Sequence, residues 1–92
     1  MSASAGLRYR LSEDAVVKRV GGSGAVYLRS NGSLHVLNRT GEAIVRGLAE
    51  PATVAELVAA LVEASGAALA DVERDVGEFL PKLVDLGVVV EA

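Results

Sequence analysis

Val26-Tyr27-Leu28-Arg29-Ser30-Asn31-Gly32-Ser33-Leu34-His35-Val36-Leu37 is the stretch on which the fold turns. Two short β-prone runs flank an Asn-Gly pair, the residues that best tolerate the positive φ angles of a tight hairpin turn. A two-residue turn at Asn31-Gly32 predicts strands over 25–30 and 33–37, with Ser30 opposite Ser33, Leu28 opposite His35 and Val26 opposite Leu37 on the inward face. Tyr27, Arg29, Leu34 and Val36 then point outward. Upstream, Ala15-Val16-Val17-Lys18-Arg19-Val20 reads as an earlier strand closed by the loop-forming Gly21-Gly22-Ser23-Gly24. A continuous meander leaves Ser33–Leu37 as an edge strand, with backbone N–H and C=O groups free for another polypeptide.

Downstream the period changes from two to about 3.6. Asn38 is placed to cap a first helix in which Ile44 and Leu48 share a face, and Glu50-Pro51-Ala52 stops it. Thr53-Val54-Ala55-Glu56 has the form of a capping box, opening a second helix that carries Leu57, Val58, Leu61 and Val62 and ends at Ser65-Gly66. A third helix begins near Ala70 or Asp71 and carries the stripe Leu69, Val72, Val76, Phe79, Leu80, Leu83 and Leu86 before Gly87. Pro81 lies inside it and predicts a bend, but the stripe keeps its phase, so one helix is expected. Val88-Val89-Val90 is either a short strand or core packing. The expected class is α+β, a winged helix-turn-helix with an N-terminal three-stranded antiparallel sheet followed by three helices.

Composition narrows function. The chain has 92 residues, no cysteine and a net charge of −3, which fits one small domain compatible with a reducing cytoplasm. No apolar run is long enough to span a bilayer and the start lacks a signal-peptide pattern, so no membrane association is expected. Charge is unevenly divided: residues 1–46 carry seven basic and three acidic side chains, and residues 47–92 carry two basic and nine acidic. The sheet half is therefore basic and the helical half acidic, a polarity that can orient a charged partner.

No catalytic constellation is present. The single imidazole, His35, has no second group at metal-ligand spacing and reads as a half-buried structural residue, so neither metal nor cofactor is expected. The glycines at 21–24 precede a strand instead of a helix, which excludes a dinucleotide or phosphate loop. A winged-helix DNA-binding regulator is the alternative. Against it, the third helix offers Arg74 and Lys82 beside Asp71, Glu73, Asp75, Glu78 and Asp85, a poor set for neutralising phosphates.

Leu37-Asn38-Arg39-Thr40-Gly41-Glu42-Ala43-Ile44, Thr53-Val54-Ala55-Glu56-Leu57, Val72 to Leu80 and Leu86-Gly87, taken in order and spacing, resemble the PqqD-like proteins. These are the peptide-recognition elements of ribosomal peptide natural-product biosynthesis. The resemblance covers residues 13–90 as a single domain and leaves 1–12 as a flexible tail. It implies a non-catalytic domain that binds the leader segment of a precursor peptide as an added strand. The leader would then be presented to a modifying enzyme such as a radical SAM protein or a leader peptidase. By position it implies a site along Ser33, Leu34, His35, Val36 and Leu37, walled by Val72, Asp75, Val76 and Phe79 of the third helix. Val76 and Phe79 also belong to the inward stripe, whereas Asp75 sits one position off it, where a carboxylate can meet a basic or hydrogen-bonding leader residue. Pro81 departs from the family's usual helix formers and bears on the lower wall of that groove.

Overall fold

Gly21 and Gly22, with φ of 59° and 87°, make the tight two-residue hairpin of this molecule, joining Val20 to Ser23. The computed structural model describes residues 6–92. Its elements run β1 (Arg8–Leu11), β2 (Ala15–Val20), β3 (Ser23–Leu28), β4 (Ser33–Val36), α1 (Arg39–Gly47), β5 (Ala52–Thr53), α2 (Val54–Ser65), α3 (Leu69–Asp85) and β6 (Val89–Glu91). The described residues form two three-stranded antiparallel sheets, ordered β2-β3-β4 and β5-β1-β6, and three helices. The α+β class and the three-helix succession are as expected from the sequence.

The second sheet was not expected, and it corrects the tail assigned to residues 1–12. Arg8–Leu11 is the central strand of β5-β1-β6, pairing Arg8 with Thr53 on one side and Leu11 with Val89 on the other. Two further bonds fasten it: Leu11 N–H donates to Leu48 O at 3.2 Å and Ser12 N–H to Val88 O at 2.9 Å. The domain therefore begins before residue 13. Residues 1–5 of the expected tail lie outside the described residues.

The β3–β4 connection also differs from expectation. Leu28 faces Ser33, Tyr27 faces Leu34, Val26 faces His35 and Ala25 faces Val36, so the register is shifted by two residues and a four-residue loop replaces the two-residue turn. Only Gly32 takes positive φ, 71°, and Asn31 does not. Asn31 Oδ1 instead accepts from the Ser33 N–H at 2.9 Å and the Ser33 hydroxyl at 2.6 Å. The Asp14 carboxylate meanwhile accepts the Ser30 N–H at 3.0 Å and the Ser30 hydroxyl, drawing Ser30 off the strand. Because side chains alternate with a period of two, a two-residue slip leaves every residue on its predicted face. Val26 and Leu28 are buried, and Leu34 and Val36 are exposed.

Local capping sets the helices. Asn38 Oδ1 accepts from Gly41 N–H at 2.7 Å to start α1, and Thr53 and Glu56 form the reciprocal capping box of α2. Gly66 ends α2 and Gly87 follows α3, each with positive φ. α3 runs as one helix through Pro81. Its inward stripe, Val72, Val76, Leu80 and Leu83, joins Val26, Leu28, Ile44, Val45, Leu48, Leu57, Val58, Val88 and Val89 in one core, where each large aliphatic contributes about 1.5–3 kcal/mol by leaving water. The alternatives at Val88–Val90 resolve to both: Val88 and Val89 are fully buried, and Val89 opens β6.

Two close approaches lock the layers together. A Cβ on Gly47 would stand 2.6 Å from Leu57 Cδ1, so α1 and α2 meet there without a side chain between them. A Cβ on Gly24 would fall 2.6 Å from Glu42 Cδ. Glu42 thus lies over the start of β3, where its carboxylate accepts from Arg46 at 2.9 Å and pairs with Arg19 at 3.2 Å, joining α1 to the β2–β3 hairpin.

Candidate functional site

β4 has β3 on one side and no strand on the other among the described residues. The chain's own C-terminal strand pairs with β1 in the other sheet, so it does not cover this edge. The phase of the edge follows from one bond: Leu37 N–H donates inward to Gly24 O at 2.8 Å. Backbone direction alternates along an antiparallel strand. His35 therefore also faces β3, and Leu34 and Val36 turn their N–H and C=O groups outward. Their side chains are exposed as well, Leu34 at 49% and Val36 at 67%.

Across from this edge stands the C-terminal half of α3. Between them lies a groove of about 470 Å³ lined by Leu34, His35, Val36, Leu37, Asn38, Gly41, Phe79, Lys82, Leu83 and Leu86. Leu83 is buried and closes the floor, Phe79 is half-buried, and Leu86 is 44% exposed. Lys82 Nζ lies 5.3 Å from the centre of the Phe79 ring, within cation–π range. His35 does not reach into chemistry: its Nε2 is 3.1 Å from Ser33 Oγ, which Asn31 already engages. No group of three or more His, Cys, Asp or Glu that could hold a metal ion is found among the described residues.

The predicted site residues divide between two places. Leu34, His35, Val36, Leu37 and Phe79 come together in the groove, and Ser33 sits at the loop end of the same strand. Val72, Asp75 and Val76 instead line a neighbouring recess of about 280 Å³, with Arg39, Thr40 and Ala43 of α1 and Leu61, Ala64, Ser65 and Ala67 around the end of α2. Val72 and Val76 are core residues there, 8% and 1% exposed. The reason is length. α3 has 17 residues and β4 four, about 25 Å against about 13 Å, so the strand faces only half of the helix. Sequence reasoning did not assign Lys82, Leu83 and Leu86 to the groove, although they follow Phe79 at steps of three and four on one flank of α3.

A family model described as coenzyme PQQ synthesis protein D (PqqD) matches residues 15–89. The chain belongs to the PqqD family. No curated protein matches it. Two solved structures resemble this PqqD-family fold. The first, TbiB1 in complex with the TbiA(beta) leader peptide, has a TM-score of 0.73 at 22% identity, covering 87% of this chain and 93% of that one. The second, lasso peptide synthetase B1 complexed with the leader peptide, has a TM-score of 0.72 at 22% identity, covering 89% and 96%. At this identity the likeness is one of fold. No helix of the described PqqD-family domain is long and apolar enough to cross a membrane.

Proposed function

We propose that this protein is a non-catalytic peptide-binding module that captures the leader segment of a ribosomally made precursor by strand addition to β4. It presents that segment to a modifying enzyme, such as a radical SAM protein or a leader peptidase, in the cytoplasm where the precursor is made. One observation carries the reading: the outward amides of Leu34 and Val36 lie on an edge that no strand covers among the described residues, facing a largely apolar helix wall across a groove. Main-chain bonds to such an edge supply affinity, and side chains entering the groove supply selectivity. Membership of the PqqD family supports it, as does a fold shared with two proteins seen with leader peptides. A leader longer than β4 would run on past Leu37 toward the recess that Arg39 and Asp75 both line.

The DNA-binding alternative draws little support. α3, which a winged-helix regulator would insert into the major groove, carries five acidic and two basic side chains, the wrong balance for phosphate neutralisation. The test is an NMR titration of the full chain with the precursor peptide encoded beside it. Shifts at Leu34, Val36, Phe79, Lys82 and Leu86 are expected. Shifts confined to β2, or none, refute the reading.

A further inference from the structure

The groove beside β4 contains one formal charge, and its placement carries information about the ligand. Of its lining residues only Lys82 is charged; the others are apolar, or neutral such as Asn38, with His35 committed to Ser33. Among the described residues Lys82 forms no ion pair, a condition it shares with Arg10, Lys18, Arg29 and Arg39; what distinguishes it is that it alone of these lines the groove. Lys82 is exposed, and its ammonium lies 5.3 Å from the Phe79 ring centre, as that of Lys18 does from Tyr27 on the sheet. At Lys82 the approach keeps the charge beside the groove, with its three N–H donors open to a carboxylate.

We propose that Lys82 reads charge in the bound peptide, so that the leader this protein selects carries an Asp or Glu close to an aliphatic or aromatic residue. The proposal rests on strand addition at β4 and specifies the chemistry of what is added. Alternate residues of an added strand face the same way, about 6.6 Å apart. Phe79 and Lys82 are three residues apart on one helix flank, a rise of about 4.5 Å. Consecutive same-side positions of the peptide can therefore meet the two together, one apolar residue against Phe79 and Leu86 and one carboxylate against Lys82. The matching pattern is apolar-x-acidic, in either chain direction.

A random twelve-residue peptide display library, selected against the full chain and separately against Lys82→Glu, tests the idea. Wild type is expected to enrich Asp or Glu two positions from an apolar residue, and Lys82→Glu to enrich Lys or Arg at that position. Titration of a selected acidic peptide should weaken about two- to fivefold with Lys82→Met, which keeps the apolar stem, and further with Lys82→Glu. Lys82 is exposed on the helix surface, so both variants are expected to fold, as circular dichroism reports directly. Peptides enriched without charge preference, or with the same preference against both baits, overturn the proposal while leaving strand addition intact. Failure to enrich any peptide overturns both.

Discussion

Leu37 donates its backbone N–H to Gly24 O at 2.8 Å, and this bond sets which amides of β4 face the neighbouring strand and which face outward. Neighbouring positions on one short strand thereby acquire opposite duties, since His35 holds the sheet and Val36 offers the edge.

Proline separates those duties, since it removes one donor and otherwise fits an edge strand. Val36→Pro is expected to leave the melting temperature nearly unchanged and to weaken peptide binding about three- to tenfold, the worth of one main-chain hydrogen bond. His35→Pro is expected to cost about 1–3 kcal/mol of stability by breaking the β3–β4 ladder. Thermal melts together with calorimetric titration check both, and equal behaviour of the two variants would contradict the strand phase.

Gly47→Ala tests the α1–α2 approach. In an unobstructed helix the change gains up to about 1 kcal/mol. Here the new methyl meets Leu57, which is 1% exposed and cannot easily withdraw, and overpacking of this kind costs about 1–3 kcal/mol. A net loss of about 1 kcal/mol is expected in urea denaturation, and a gain would mean that Leu57 has room to move.

Gly24 and Glu42 are coupled through space, so their substitutions should not add. Gly24→Ala alone is expected to cost up to about 1 kcal/mol, because the added carbon swings the end of the Glu42 side chain away from Arg19 and Arg46. In a Glu42→Ala background the same change should be neutral or gain up to about 1 kcal/mol, the difference being the interaction measured by the double-mutant cycle.

Acid should loosen two local ties. The Asp14 carboxyl is held below its ordinary range chiefly by the hydrogen bond from the Ser30 hydroxyl, then by the Ser30 amide and the Arg29 charge. Glu56 is lowered by the Thr53 backbone and side-chain hydrogen bonds and by Arg8. A carboxyl depressed in the folded state adds stability that is full above its unfolded value, about 4, and is lost as pH falls through the folded value. Stability is therefore expected to decline as pH drops below about 4, and the decline should be shallower in Asp14→Asn. An identical acid profile for that variant would show that the Ser30 contact does not form in solution.

The helix boundaries were legible because their determinants are local. Asn38, the Thr53–Glu56 pair, Gly66 and Gly87 each act within a few residues through hydrogen bonds or a backbone conformation that sequence spacing exposes. The face of each residue in β3 and β4 was legible for the same reason. The register was not, because Asp14, sixteen residues away, competes for Ser30. β1, β5 and β6 have four, two and three residues, too few for periodicity to speak, and they are made strands only by one another. The strand side of the groove and Phe79 could be named from sequence. Lys82 and Leu86 could not, since which half of α3 lies against β4 depends on how helix and strand pack.

The central position of β1 has a consequence for when this protein becomes competent. Tyr9 pairs with Glu91 and Leu11 with Val89, so this strand waits for partners about eighty residues downstream. Contacts this distant in sequence slow folding. The β2-β3-β4 meander can assemble earlier, with its bare border exposed to any extended chain nearby. The β5-β1-β6 sheet is therefore expected to close after the local meander, since its central strand draws together segments from opposite ends of the described fold.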